Sequence, residues 1–249
     1  MVRARIRRSA PTRSSRPGAI PPAVNTAQSV LQQAKETLGS GLAALDARVT
    51  SEPPAMAVAR EAERQPCDLV IMGFAASDGL DLTEEILQAG DHHLLLVARP
   101  QDVPTRALIC VTTGEPGKDD VLFAGRLVRH VGAQATLMSI LENGTDDPVI
   151  RERAERFLAS GVRSLDILGV PAQTVIRTGA VNKAIAQELT AGGYDLLVLG
   201  TPPADRDGKI SLKGVVGQVM SETPACATLL VRSTQYSFYE TSGADKVRV

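Results

Sequence analysis

Two adjacent histidines, three cysteines and several paired acids are the side chains of this sequence with chemistry to offer. His92 and His93 stand directly before the apolar run Leu94–Val97. Neighbours along a strand project to opposite faces, so the pair makes a poor chelate. His130 lies far off, near the end of a helical pattern, where bonding to terminal carbonyls is its expected role. Cys67, Cys110 and Cys226 are odd in number, widely spaced, and form neither Cys-x-x-Cys nor a Cys/His cluster. They read as small buried thiols in a reducing compartment, not as a disulfide framework or zinc ligands. There is no Gly-x-Ser-x-Gly elbow and no cysteine beside a plausible base, so nucleophilic catalysis has no footing. No Gly-x-Gly-x-x-Gly follows an apolar run, which leaves a dinucleotide site unsupported. The acids Asp119-Asp120, Asp146-Asp147 and Glu84-Glu85 fall at the starts of helical patterns, where they complement the helix dipole as caps and solvated faces. The reading is a protein that is not an enzyme and holds no metal.

The elements that would position any site are aliphatic. Hydrophobic residues make up 43% of the 249 positions, aromatics only 3%, and tryptophan is absent. Such a core suits a parallel sheet covered by helices. From Arg106 onward, short apolar runs alternate with helical patterns. Ala107–Val111, Ala135–Leu141, Gln173–Arg177, Asp195–Leu199 and Thr228–Val231 read as five strands. Helices are expected near Lys118–His130, Pro148–Leu168, Ala180–Ala191 and Leu212–Glu222. Strict alternation with crossovers of this length implies an α/β fold, a five-stranded parallel sheet with helices on both faces.

Upstream, part of the pattern recurs. Val49–Gly73 aligns without a gap on Ile176–Gly200, with six identities in 25 positions. Asp68-Leu69 falls on Asp195-Leu196, Glu61 on Glu188, and Gly73 on Gly200. A shared strand ending favours duplication over convergent patterning. The first copy is incomplete. Val24–Leu45 reads as one or two helices, Asp46–Val49 as a possible strand, and Asp68–Met72 and Leu94–Ala98 as clear strands. Nothing ahead of them matches the strand–helix–strand opening at Ala107–Leu141. A sheet lacking those strands has open edges that the second lobe or a partner must shield.

The expected organisation is therefore a basic extension over 1–19, a partial lobe over 20–100, a complete domain over 105–232 and a polar tail over 233–249. The extension carries six arginines and no acid; it reads as disordered, with a targeting leader or anion-binding arm as the other uses of such a segment. In the tail, Tyr236, Phe238 and Tyr239 are candidate surface anchors. A formal net charge of −1 argues against nucleic acid as a partner. No apolar run approaches the ~20 residues that span a bilayer, so an integral membrane protein is not expected and the cytoplasm is the expected location.

The run Val175-Ile-Arg-Thr-Gly179, a helix, Asp195-Leu-Leu-Val-Leu-Gly200, a polar loop, Gly214, and Pro224-Ala-Cys-Ala-Thr-Leu-Leu-Val-Arg232 resembles the universal stress protein family. The likeness covers Arg106–Arg232 as a full domain and Val24–Pro100 as a partial one. It implies a five-stranded parallel sheet and pairing through the last strand, Thr228–Val231, either as a homodimer or between tandem lobes. Nucleotide-binding members of that family carry Gly-x-x-Gly, nine residues, then Gly followed by Ser or Thr. Small residues there let backbone N–H groups approach a phosphate at a helix N-terminus. By this likeness Gly200 and Gly214 hold glycine positions and Gly179 opens the preceding turn, but Pro203 replaces the second glycine and Val215 the hydroxyl residue. Proline offers no N–H. Thr112-Thr113 stands where relatives place an aspartate near the adenine, although Lys209 or Lys213 could still neutralise a phosphate. In the first copy Glu52 stands at the place of Gly179, and Gly73 to Val97 is seven residues shorter than Gly200 to Val231. The expectation is a regulatory or scaffolding protein with a degraded nucleotide pocket and no cofactor. The alternatives are a sensor that binds ATP or AMP weakly through the second-lobe loop, and a soluble subunit of a transporter or membrane complex.

Overall fold

A computed structural model describes residues 29–33, 36, 46, 48–74, 79–98, 102–111, 117–141, 147–223 and 226–232. The basic stretch 1–19 and the tail 233–249 lie outside them. Along the chain run α1 (Pro54–Arg64), β1 (Leu69–Gly73), α2 (Gly79–Gln88), β2 (His93–Val97), β3 (Arg106–Cys110), α3 (Gly117–Val131), β4 (Gln134–Leu141), α4 (Pro148–Ile167), β5 (Ala172–Thr178), α5 (Val181–Gly192), β6 (Leu196–Gly200), α6 (Val215–Glu222) and β7 (Ala227–Val231). The five strands expected after Arg106 are β3 to β7. They do not form a separate sheet, because β1 and β2 extend it to seven strands in the order β1-β2-β7-β6-β3-β4-β5. Within Asp46–Val49, read above as a possible strand, the described residues Asp46, Arg48 and Val49 are not in one. Residues 29–33 and 36 are the described part of the helical stretch expected at Val24–Leu45.

Alternation along each strand divides the core into two layers. On one face α1, α2, α5 and α6 bring Val58, Ile86, Ile185 and Val219 onto Leu94, Leu108, Leu197 and Leu230. On the other, α3 and α4 bring Val121, Val128, Leu158 and Leu165 onto Ile109, Leu137, Val198 and Leu229. Helix ends follow their residues. Asp147 caps α4 by accepting the Val149 N–H at 2.9 Å, with Pro148 in the first turn. Gly193 ends α5 in the left-handed conformation at φ 61°, its N–H on the Leu189 carbonyl. Among the described residues no helix is long and apolar enough to cross a membrane.

The repeat is visible in the elements. The ungapped alignment that pairs Leu69 with Leu196 and Gly73 with Gly200 superposes both ends of β1 on β6, and it pairs Pro54 with Val181, the first residues of α1 and α5. β2 and β7 then meet antiparallel, Leu94 opposite Leu230, Leu95 opposite Leu229 and Leu96 opposite Thr228. Leu95 and Leu229 are the middle residues of their strands, so the two lobes are related by a local two-fold axis through that pair. Pairing through the last strand thus takes place inside one chain. With β6 on one side and β2 on the other, β7 is paired along both edges, so of the two forms of that expectation the pairing between lobes is the one present.

Arg232 locks the seam from one side. Its N–H donates to His93 Nδ1 at 3.0 Å, its guanidinium donates to the carbonyls of Leu87 and Gly90, and Asp91 lies 3.4 Å away. His93 also stacks on Phe123 of α3 with ring centroids 3.6 Å apart. Burial pushes the His93 imidazole down to about 4, and burial also lowers His92, which is buried just ahead of β2. For His93 the Asp68 carboxylate opposes this shift, while His92 and Arg232 reinforce it. Both rings hold a proton less tightly in the fold than in the unfolded chain, where they titrate near their ordinary value of 6.5. The unfolded state therefore binds more protons below that value, and stability is lost as pH falls from about 6.5 toward 4. Denaturant midpoints measured between pH 7.5 and 4.5 are expected to decline through this window. His93→Asn, which keeps an acceptor for Arg232, should flatten the decline; an unchanged slope would refute the assignment.

Candidate functional site

β3 and β6 lie side by side in mid-sheet, but α3 leaves on one face and α6 on the other. Their carboxyl ends open at a topological switch point, the place where open α/β sheets bind ligands. Gly200 ends β6 there, and the half-buried Gly179 follows β5 at the same end of the sheet, with φ 122° and its N–H on the Leu141 carbonyl. Thr112 lies outside the described residues; its neighbour Val111 is buried, with its N–H on Met138. From Gly200 the chain runs through exposed Pro203 to Gly214, which precedes α6 at φ −156° and ψ −142°, and Val215, the first residue of α6, is 46% exposed.

Several backbone donors of this loop are engaged within the protein. Thr201 donates to the Val231 carbonyl at 2.8 Å, and Pro202 and Pro203 have no N–H. Asp207 and Lys209 donate to the Asp205 carboxylate at 2.9 and 2.8 Å. Gly208, at φ 77°, completes that turn by donating to the Asp205 carbonyl. Leu212 donates to Glu84 Oε1 at 2.6 Å, and Gly214 donates to the Leu212 carbonyl at 2.7 Å. Carboxylates thus accept three of the loop amides, those of Asp207, Lys209 and Leu212.

Two of the acids here escaped the sequence reading. Asp120 is not on a solvated face: it is 8% exposed, and its Oδ2 lies so near Gly200 that a Cβ there would sit 2.7 Å from it. Glu84 does not open a helix. Because α2 begins at Gly79, Glu84 falls mid-helix and reaches across to the second-lobe loop. The one signal for Asp120 was its place in the first turn of α3, which reads equally as a cap until the sheet order is known. Glu84 gave none, since its partner is 128 residues away. In the first lobe Glu52, at the repeat position of Gly179, is paired with Arg60. Cys110 and Cys226 are half-buried and not fully enclosed, and desolvation pushes their thiols up to about 12 and about 11. His92 and His93 do not converge on a metal, and no group of three or more His, Cys, Asp or Glu placed to hold one occurs among the described residues.

A doubly covered sheet, a switch-point crevice and an antiparallel seam between two related lobes define the universal stress protein fold in tandem form. Solved structures share this fold. A universal stress protein from Archaeoglobus fulgidus superposes with a TM-score of 0.56 at 14% identity, covering 85% of this chain and 77% of that one. A candidate universal stress protein from Pseudomonas aeruginosa gives 0.61 at 15% identity, over 83% and 78%. A functionally unknown protein from the same bacterium gives 0.60 at 16% identity, over 83% and 77%. Likeness at these identities is likeness of fold. No family profile and no curated protein matches the sequence.

Proposed function

We infer that this is a non-catalytic regulatory or scaffolding protein of the universal stress protein type, working through contacts between its lobes and with a protein partner, its nucleotide loop degraded. The observation that carries the reading is the engagement of the loop amides by Asp205 and Glu84, with Asp120 against Gly200. A triphosphate entering there would displace charge-assisted bonds and meet like charge. In this reading 20–100 and 105–232 are the working lobes, and Thr112, Gly179, Gly200, Pro203, Gly214 and Val215 are the remnants of the pocket. Calorimetry with magnesium-ATP and AMP is expected to give no binding heat up to about 1 mM, an affinity worth ~4 kcal/mol. Saturable heat that Gly214→Ala abolishes would overturn the reading. The sensor reading has one observation in its favour, the first turn of α6, which no side chain caps.

A further inference from the structure

We propose that the outer edge of β1 receives an extended aliphatic segment of a partner protein as an added parallel strand. The proposal rests on the scaffolding reading above and names the surface and the chemistry of its partner.

The second lobe shows what such an edge takes. β1 and β6 are equivalent strands of the repeat, and Leu69, Val70 and Ile71 stand at the positions of Leu196, Leu197 and Val198. Those three β6 residues are paired in parallel with Ala107, Leu108 and Ile109 of β3. At β1 the corresponding side is the end of the sheet, and among the described residues no strand pairs with it. The segment 46–51 corresponds in the repeat to β5, which in the second lobe stands beyond β3 and β4. Here its described residues form no strand. Asp46, Arg48, Val49 and Thr50 instead line, together with Val58 and Glu61 of α1 and with Leu69, Val70 and Ile71 of β1, a cleft of about 220 Å³. The cleft therefore opens onto β1, the strand whose repeat equivalent β6 is paired with β3.

Two further features fit a parallel strand. Asp195, just before β6, accepts the Thr105 N–H at 2.9 Å, the Thr105 hydroxyl at 2.8 Å and the Arg106 N–H at 2.9 Å, so it receives the first residues of β3. Burial opposes its ionisation, but these donors outweigh burial and hold its carboxyl below the usual value. Asp68 is its repeat equivalent, exposed at the same end of β1. The charges of the cleft are also matched internally, Arg48 with Asp46 and Glu61, and Arg60 with Glu52. That leaves backbone donors and acceptors and aliphatic side chains as the means of recognition, the mode by which sheet edges bind peptides. The partner this describes is an aliphatic β-branched or leucine-rich run, led by a residue such as threonine whose N–H and hydroxyl Asp68 can accept.

The probe is the peptide Thr-Arg-Ala-Leu-Ile-Ser-Val, residues 105–111 with Cys110→Ser, titrated against the full chain by fluorescence anisotropy. Saturable binding is expected, with hydrogen-exchange protection appearing at amides 69–73. Two changes should each weaken binding about tenfold or more: Asp68→Ala in the protein, and N-methylation of alternate peptide amides. No saturation up to about 1 mM, or binding that N-methylation leaves intact, overturns the proposal. Concentration-dependent self-association that protects amides 69–73 without peptide overturns it in favour of a second copy. Magnesium-ATP heat would sink the scaffolding reading and leave the peptide result standing, so the two failures are separable.

Discussion

Leu230→Ala is expected to cost about 3 kcal/mol and to destabilise both lobes together. Leu230 and Leu94 are each 0% exposed and stand directly opposite in the β7–β2 ladder, where facing Cβ atoms lie ~5 Å apart. Removing a leucine here therefore loses transfer free energy and leaves a cavity that a seven-stranded sheet cannot close by local collapse. Because the ladder runs unbroken from one lobe into the other, the full chain should unfold in one cooperative transition. Leu94→Ala should cost a similar amount, and the double variant should depart from additivity by ~1 kcal/mol, as expected of residues in contact. Ile167→Ala, at a position 85% exposed, should change stability by less than ~0.5 kcal/mol. Two separate denaturation steps, or strict additivity at Leu94 and Leu230, would show that the lobes are not joined through this pair.

That seam was half legible in the sequence. The runs at Leu94–Val97 and Thr228–Val231, and the repeat relating them, are patterns of apolar residues, and such patterns survive wherever both faces of a strand are covered. Pairing through the last strand followed from the resemblance, but whether the partner strand belonged to the same chain did not. The choice depends on where β2 lies after α2, a long-range fact with no local signature. The same holds at the switch point. Gly200, Pro203, Gly214 and Val215 could be placed by spacing alone. Asp120 and Glu84 could not, since each acts on a residue far along the chain, Gly200 and Leu212. Adjacent acids near a helical pattern look like caps whichever way they point, and only the sheet order turns one of them toward a neighbouring strand's end. Composition excluded tryptophan-rich or disulfide-built cores, but the depth of each half-buried cysteine is set by the crossovers above it.

Gly217→Ala is expected to destabilise the protein by about 2 kcal/mol, although nothing in the spacing of the loop singles Gly217 out. A Cβ at Gly217 would press on the Leu212 carbonyl oxygen, which already accepts the Gly214 and Gly217 N–H groups, and would meet Leu80 Cδ1 at 2.7 Å. The leucine can rotate, but the carbonyl cannot, since its position fixes the turn into α6 and, through the Leu212 N–H, the bond to Glu84. Alanine in a helix gains ~1 kcal/mol of propensity over glycine, so the overpacking must exceed that before any loss is seen. The clash with backbone is large enough to do so. Leu80→Ala in the same chain should recover only the part due to the side chain. Gly214→Ala makes the comparison sharp: nothing lies within 4 Å of a Cβ there, so it should cost clearly less than Gly217→Ala. Denaturant midpoints for the three variants decide the point. If Gly214→Ala were the damaging change and Gly217→Ala the silent one, the loop would still be shaped around a phosphate. The opposite order means that it is held by the first lobe.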